Sequence, residues 1–221
     1  MIKLVVVDFD DTLCLTEEAT FHIENEVAVE LGYTPMTREA HKKNWGKNLA
    51  EAITERIPGV EVEKFLFRLE EVHMIHAASG KVDTVSEQNL QALDQIIDSG
   101  LKLGLLTARS FREAQHLLHQ DHPLSKRIER FYHMDNSEFS KPDPRAFEKI
   151  LKDFNVSPDE TVYIGDAFGD AICANGAGVH FIAVMESGIR SKEDFKEYNV
   201  DYFAPTFVEA INAVLSGKII T

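Results

Sequence analysis

Cysteine is scarce in this sequence, which argues against both a disulfide framework and a thiolate metal site. The 221 residues include two cysteines, Cys14 and Cys173. Neither forms a C-x-x-C pair or stands at a zinc-ligand spacing from histidine. We therefore expect two buried thiols in a reducing compartment.

Long apolar runs are absent as well. The N-terminal run Leu4–Val7 is short and is followed by acidic residues, which is unlike a signal peptide. No stretch approaches the ~20 apolar residues that a membrane helix requires. The sequence thus predicts a cytoplasmic protein with no membrane partner.

Positive charge is in deficit. Lys and Arg number 23 against 37 Asp and Glu, so the formal net charge is -14. Because the nucleic-acid backbone is bound by basic surfaces, this balance predicts no nucleic-acid partner. A small anionic substrate is still compatible with this charge, provided that the site itself is locally positive.

What the sequence does contain is a globular composition, with 44% hydrophobic and 27% charged residues. Short apolar runs without polar alternation are typical of strands buried on both faces of a parallel sheet. Such runs lie at residues 2–7, 101–106, 131–134, 161–164 and 179–184.

Helical patterns separate these runs. One predicted helix is capped by Ser86 and closed by Gly100, and another covers residues 111–118. A third opens with Pro144 at its first position, and a last one covers residues 208–215. Strands that alternate with helices predict an α/β fold with a Rossmann-like, doubly wound parallel sheet.

The stretch after the first strand breaks this alternation, because it carries helical patterns and no clear strand. We therefore predict an all-α domain over residues 16–83, inserted into a core formed by residues 1–15 and 84–221. Within the insertion, residues 44–48 separate two helical segments.

Polar residues follow the predicted strands, where functional groups of parallel α/β sheets collect. Asp8 follows the first strand, and Thr107 follows the second. Asp166 follows the strand at residues 161–164, with Asp170 four residues later, and Lys141 lies in a loop. Packing alone does not explain such a set.

Carboxylates dominate this set. Asp8 and Asp10 point the same way in an extended segment, and Asp166 and Asp170 bring the converging acids to three or four. Each close pair repels by about 4 kcal/mol at about 4 Å and an effective dielectric near 20. Mg²⁺ relieves this repulsion and lets an anionic phosphate approach an anionic nucleophile, while Lys141 adds a fixed positive charge.

The motifs resemble those of the haloacid dehalogenase superfamily of phosphatases. The matching features are D-x-D-x-T from Asp8, the strand-end Thr107, Lys141 and a G-D-x-x-x-D pattern that ends at Asp170. The helical insertion stands where that superfamily has its type-1 cap. The resemblance implies a Rossmann-like catalytic core that hydrolyses a small phosphorylated metabolite through an aspartyl-phosphate.

The resemblance also implies roles for single residues. Asp8 is the expected nucleophile, and Asp10 is the expected acid for the leaving oxygen and then the base for water. The expected phosphate-binding groups are Thr107, Lys141 and the amides of Phe9 and Ala108. The expected Mg²⁺ ligands are Asp8, the carbonyl of Asp10 and Asp166, with Asp170 either completing or supporting the site.

Asp10 favours hydrolysis of phosphate monoesters, because the superfamily's dehalogenases lack an acid there and its ATPase pumps carry threonine. A sugar phosphomutase similar to beta-phosphoglucomutase is the nearest rival. A phosphonate hydrolase would need a cap lysine for a Schiff base, and Lys42, Lys43 and Lys47 are available. A non-catalytic binding module would have lost a motif residue, whereas none is lost.

Substrate choice is expected to lie in the cap and beside the phosphate site. The loop at residues 44–48 resembles the glycine-containing loop of type-1 caps, in which Trp45, Gly46 and Lys47 are candidates. Trp45 would stack on a substrate ring or pack in the cap, and Lys47 would meet a second anionic group or solvent. Arg109 would touch the leaving group or pair with an acid on its own helix, and His22 is a further candidate.

Overall fold

The computed structural model describes residues 1–219 and divides into two compact units. The larger, here called the core unit, contains Met1–Cys14 and the chain from Val85 onward. The smaller, here called the helical unit, is Leu15–Thr84. Positions 220 and 221, which fall in the predicted range 84–221, lie outside the described residues.

The core unit is built on one parallel sheet. Its strands within residues 1–219 are β1 (Leu4–Val7), β2 (Lys102–Leu106), β3 (Arg130–Tyr132), β4 (Thr161–Gly165), β5 (His180–Val184) and β6 (Tyr202–Ala204). The spatial order is β3-β2-β1-β4-β5-β6, and every pairing is parallel. The order reverses at β1, so the predicted Rossmann-like, doubly wound fold is confirmed.

Helices make up most of the remaining regular structure. They are α1 (Glu17–Glu30), α2 (Arg38–Lys43), α3 (Leu49–Arg56), α4 (Val62–Ala78), α5 (Glu87–Asp98), α6 (Phe111–Ala114), α7 (Ala146–Phe154), α8 (Phe168–Ala177) and α9 (Phe207–Leu215). Short 3₁₀ helices lie at Pro123–Lys126, Pro158–Glu160 and Lys192–Phe195. No helix within residues 1–219 combines the length and the apolar character needed to cross a bilayer.

Burial on both faces explains the unbroken apolar strands. Val5 and Val7 face a cluster with residues of α5 and α9, whereas Leu4 and Val6 face a second cluster with residues of α7 and α8. Successive side chains of a strand point to opposite faces, so a sheet covered on both sides needs apolar residues at every position. The side chains of β1 are accordingly buried throughout.

Two sequence-based helix boundaries were wrong, and one strand was missed. The helix predicted over residues 111–118 stops at Ala114, where the chain continues as tight turns. The helix predicted to open at Pro144 begins at Ala146, because Asp143 accepts from the N–H of Arg145 and holds the preceding turn. Strand β6 was missed, since its three residues are too few to show a strand periodicity.

The helical unit has its own apolar core. Residues from α1, α3 and α4 form it, including Ile23, Val27, Ile53, Phe65 and Leu69. Loop 44–48 joins α2 to α3 within this unit.

Candidate active site

Asp8 lies immediately after β1, at the carboxyl end of the sheet, and is buried. Its backbone N–H donates to the carbonyl of Ile164 in β4 over 2.9 Å, which extends the strand pairing by one residue. The neighbouring strands end beside it, with Thr107 following β2 and Asp166 following β4. Parallel pairing in this register brings the three side chains to one edge of the sheet.

Lys141 connects Asp8 to Asp170. Its Nζ donates to Asp8 Oδ1 over 2.6 Å and to Asp170 Oδ1 over 2.8 Å. The lysine side chain is 9% exposed, so both charge-assisted hydrogen bonds are shielded from water. Burial lowers the pKa of Lys141, but Asp170 and Asp8 raise it by more, so the ammonium stays charged.

Both carboxylate oxygens of Asp170 accept hydrogen bonds. Oδ1 also accepts from the hydroxyl of Tyr163 over 2.8 Å, and Oδ2 accepts from the N–H of Ala167 over 2.9 Å. The close fit needs Gly165, because a Cβ there would lie 2.5 Å from Asp170 Cγ. These contacts favour a role for Asp170 in orienting Lys141 over direct ligation of a metal.

Asp8, Asp166 and Asp170 form a buried carboxylate cluster, whose candidate ligand oxygens all lie within 4.8 Å of one another. Lys141 pairs with two of these three acids. Burial raises the pKa of Asp8 to about 8 against the opposing effect of Lys141, and the charges of Asp170 and Asp10 add to the rise. The cluster therefore holds more acid than the lysine neutralises.

The pKa of Asp166 also reflects this surplus of acidic groups. Burial raises its pKa well above the ordinary value, and the charges of Asp170 and Asp8 raise it further. Such a group ionises readily only beside a cation, and a set of carboxylate oxygens is what Mg²⁺ prefers. The residues at this edge of the sheet therefore fit a magnesium ion.

Thr107 and Phe9 shape the turns beside Asp8. The N–H of Thr107 donates to the carbonyl of Tyr132 over 3.0 Å, and its buried hydroxyl accepts from the N–H of Arg109 over 3.1 Å. The carbonyl of Phe9 accepts from the N–H groups of Leu13 and Cys14, which closes the turn after β1. Ala108 is exposed between Thr107 and Arg109.

Asp10 and Arg109 form a bidentate ion pair. Arg109 Nε donates to Asp10 Oδ2 over 3.0 Å, and Nη2 donates to Oδ1 over 2.7 Å. The guanidinium carbon lies 4.8 Å from the centre of the buried Phe9 ring. From the sequence we expect Arg109 to touch the leaving group or to pair with an acid on its own helix. The structure pairs it with Asp10, which lies 99 positions away in the chain.

Asp11 occupies the turn that follows. Its φ is 51°, in the left-handed region that asparagine, aspartate and glycine tolerate best, and its N–H donates to the carbonyl of Cys14 over 2.7 Å. The side chain is buried, and its charge contributes to the raised pKa of Asp166 after burial, Asp170 and Asp8.

Tyr163 is the site residue that the sequence reasoning missed. It lies on β4, is fully buried and bonds Asp170 through its hydroxyl. A tyrosine in a strand covered on both faces must find a partner for its hydroxyl, and Asp166 and Asp170 follow that strand in the chain. That combination was a usable signal.

The remaining candidate specificity residues all belong to the helical unit. Trp45 is partly buried with its ring 5.0 Å from that of His41, and Lys47 Nζ donates to Glu55 over 2.9 Å and 3.0 Å. Gly46 has a φ of 87°, and His22 is exposed on α1. Because Lys47 is half exposed and paired with an acid, it lacks the apolar surroundings that favour a Schiff-base amine.

A buried polar network holds the start of loop 44–48. Arg56 Nη1 donates to both oxygens of Glu24 over 2.8 Å and 2.7 Å, and Arg56 Nε donates to Asn44 Oδ1 over 2.7 Å. Asn44 Nδ2 donates to Glu55 Oε2 over 3.0 Å, and the Arg56 Nη2 atom donates to the carbonyl of His41 over 3.3 Å. The network therefore holds the side chain of Asn44, the first residue of the loop.

Comparison with protein families gives a match over most of the chain. The model of the family described as haloacid dehalogenase-like hydrolase matches residues 5–184. That range contains the carboxylate cluster, Lys141, Thr107 and the helical unit.

Individual relatives are more distant. A phosphorylated carbohydrates phosphatase of Thermotoga maritima is 26% identical over 184 residues, with 81% of this chain and 83% of the relative covered. A phosphoglycolate phosphatase of Nitrosospira multiformis is 24% identical over 226 residues, with 96% of both chains covered. The crystal structure of CbbY from Rhodobacter sphaeroides in complex with phosphate has a TM-score of 0.78 at 21% identity, covering 95% of this chain and 96% of that one, and shares the fold.

Proposed function

The chain belongs to the haloacid dehalogenase-like hydrolase family, and we propose that it is a magnesium-dependent phosphatase. In this proposal it hydrolyses a small phosphate monoester through an aspartyl-phosphate formed on Asp8. The core unit serves as the catalytic domain, and the helical unit serves as the cap. The observation that carries the proposal is the hydrogen bond of the Lys141 ammonium to the carboxylate of Asp8 at the end of β1.

Asp8 suits the role of nucleophile because hydrogen bonds hold both its backbone and its carboxylate in place. Its backbone is bonded to β4, and its carboxylate is bonded to a buried lysine that Asp170 holds from the other side. One oxygen is thereby engaged, and the other would make the in-line attack on phosphorus. The same ammonium would contact the transferring phosphoryl group.

The phosphoryl group would be held by donors from two turns. Thr107 contributes a hydroxyl at the end of β2, and Lys141 contributes its charge. The amides of Phe9 and Ala108 stand on the turns after β1 and β2, where backbone N–H groups suit phosphate oxygens. Fixed donors of this kind stabilise the developing charge without reorganising during the reaction.

Asp10 would serve the leaving oxygen as acid and then the attacking water as base. It lies two positions beyond Asp8 on the same turn, and its side chain is 31% exposed, so it can reach a bound ester. An alkoxide leaving group needs such a proton, which distinguishes ester hydrolysis from the dehalogenation and pump chemistries of the superfamily.

Magnesium would be held by Asp8, Asp166 and the backbone carbonyl of Asp10, with Asp170 as support. When bound, the ion would neutralise the surplus acid and let a dianionic phosphate approach an anionic nucleophile. The protein's own part is to keep the ligand oxygens within 4.8 Å of one another in a buried site.

The substrate is proposed to be a small phosphorylated metabolite, with the protein acting in the cytoplasm. The relatives named for phosphorylated carbohydrates and for phosphoglycolate support this class. Trp45, Gly46, Lys47 and His22 would select among such substrates, since they stand on the unit proposed as the cap.

A phosphate-release screen tests the proposal. The panel contains sugar phosphates, phosphoglycolate, nucleoside monophosphates, a β-hexose 1-phosphate and a phosphonate, each with and without Mg²⁺. We expect magnesium-dependent phosphate release from at least one ester. An isomerised sugar phosphate without release would indicate the mutase, release from the phosphonate would indicate the phosphonate hydrolase, and inactivity on every compound would favour a binding module.

A further inference from the structure

Two cations stand at the edge of the sheet where Asp8 lies, and they are engaged differently. Lys141 is 9% exposed and forms ion pairs with Asp8, the proposed nucleophile, and with Asp170. Arg109 is 11% exposed and bonds Asp10, the residue that would serve the leaving oxygen. The second cation is therefore paired with the residue proposed to act on the leaving group.

The guanidinium of Arg109 is already arranged for a carboxylate. Nε and Nη2 contact the two oxygens of Asp10 over 3.0 Å and 2.7 Å, in the parallel geometry by which arginine binds carboxylates. The Phe9 ring, 4.8 Å from the guanidinium carbon, supports its plane. Little side-chain freedom would be lost on binding another carboxylate there, because the fork is held in advance.

Asp10 would act on a substrate from a carboxylate that Arg109 already binds. Both of its oxygens accept from Arg109, and as the acid one of them would carry a proton, which removes the negative charge of the pair. The guanidinium would then lose its charged partner in a largely buried position, which is costly. A substrate that brings its own anion to the guanidinium removes that cost.

We propose that Arg109 is a specificity-determining residue that binds a second anionic group of the substrate, a carboxylate attached to the carbon that bears the leaving oxygen. This inference rests on the function proposed above. The placement of the guanidinium supports this, because it contacts Asp10, the residue that would serve the leaving oxygen, at 2.7–3.0 Å. The substrate class is thus a small phosphorylated hydroxy acid.

Arg190 is the competing candidate. Its guanidinium carbon lies 4.4 Å from the centre of the Phe168 ring, and its charge lowers the pKa of Asp166 against the larger effects of burial and neighbouring acids. Its link to the cluster is through Asp166. Arg109 is favoured because it contacts the proposed acid itself.

A matched pair of esters isolates the second anionic group. 2-Phosphoglycolate and 2-hydroxyethyl phosphate differ only in a carboxylate against a hydroxymethyl group, and p-nitrophenyl phosphate serves as a general ester. The variants are Arg109→Gln, Arg109→Lys and Arg190→Gln. Arg127→Gln is the matched control, because Arg127 makes a similar bidentate pair with Asp94 over 2.7 Å and 2.8 Å without contacting the carboxylate cluster.

We expect the wild-type protein to prefer 2-phosphoglycolate in kcat/KM by about 30-fold or more, the scale of a close charge pair shielded from water. Arg109→Gln should reduce that preference at least tenfold, chiefly by raising KM for the carboxylated ester, and Arg109→Lys should restore part of it. Arg127→Gln and Arg190→Gln should keep the wild-type preference.

Three results would overturn the inference. They are a wild-type protein without preference, a loss in Arg109→Gln that is equal for both esters, and a loss of preference in Arg190→Gln instead. Each leaves the phosphatase assignment standing if p-nitrophenyl phosphate is still hydrolysed. If no ester is hydrolysed by the wild-type protein, the proposed function fails, and this inference fails with it.

Discussion

Lys141 Nζ lies 2.6 Å from Asp8 Oδ1, although the two residues are 133 positions apart in the chain. Asp8 directly follows β1, and Lys141 lies in the loop before α7. A buried ammonium this close fixes the carboxylate in one orientation, which is what a nucleophile needs.

Asp8→Asn is therefore expected to remove at least ~10³-fold of kcat, because an amide cannot form the aspartyl-phosphate. Phosphate release with a good substrate measures the loss, and mass spectrometry of acid-quenched wild-type protein should find the phosphorylated peptide. Asp153→Asn is the control, since Asp153 bonds Tyr132 and Lys149 elsewhere in the core unit. Near-normal turnover by Asp8→Asn would show that the nucleophile is another group.

Asp10→Asn should slow hydrolysis of an alkyl phosphate by about 10³-fold, the upper part of the range for general acid–base catalysis. The loss should be clearly smaller with p-nitrophenyl phosphate, whose leaving group departs without a proton. The ratio of the two kcat values is the measurement. Equal losses on both esters would mean that Asp10 acts by holding Arg109 or the turn and not as an acid.

Magnesium should stabilise the fold. The carboxylates of Asp8, Asp166 and Asp170 outnumber the Lys141 ammonium, so a bound dication removes repulsion in the folded state alone. At 100 times Kd the gain is about 2.7 kcal/mol, or roughly 5 °C or more in Tm for a chain of this size.

Thermal unfolding with EDTA or with Mg²⁺ checks this, and activity should disappear after exhaustive chelation. Asp166→Asn should abolish the magnesium-dependent shift in Tm, whereas Asp94→Asn should keep it. A shift that persists in Asp166→Asn would place the ion elsewhere.

Gly165→Ala should disturb Asp170 directly. The added Cβ would lie 2.5 Å from Asp170 Cγ and 2.6 Å from Oδ2, closer than real contacts allow. We expect a loss of about 1–3 kcal/mol in the free energy of unfolding together with a marked fall in kcat.

Gly169→Ala is the matched control for that substitution, because Gly169 precedes Asp170 in α8 and its Cβ would meet Pro142 at an ordinary 3.8 Å. It should keep both stability and turnover. Full activity in Gly165→Ala would mean that the position of Asp170 is not critical.

Tyr163→Phe should weaken the site through Lys141. Without the phenolic donor, Asp170 Oδ1 should bond Lys141 more strongly, and the hydrogen bond from Lys141 to Asp8 should weaken. We expect about a tenfold fall in kcat, with about 1.5–3 kcal/mol lost from stability for a hydrogen bond to a charged group.

Tyr132→Phe tests whether this loss is specific. Tyr132 is also buried and donates to a carboxylate, that of Asp153, over 3.1 Å. Its substitution should lower Tm with little effect on kcat. Equal effects of the two substitutions on kcat would reduce Tyr163 to a structural role.

The sequence predicted the fold class because the strands carry their own signal. A run such as Leu4–Val7, apolar at every position, is stable only inside a sheet covered on both faces. Shorter elements carry a weaker signal. Strand β6 was not predicted, and the end of α6 and the start of α7 were predicted at the wrong residues. In these segments a few tertiary contacts and turns decide the backbone.

By itself, the sequence determined which residue types follow which strands. Since parallel strands end at a common edge, that order was enough to group Asp8, Thr107 and Asp166 and to raise the need for a cation. Only the tertiary structure decided the pairings within the group. It set Lys141 between Asp8 and Asp170, gave Asp170 the hydroxyl of Tyr163, and paired Arg109 with Asp10. A hydrogen bond requires that two side chains far apart in the chain be placed to within a few tenths of an ångström, and no local pattern of residues encodes that placement.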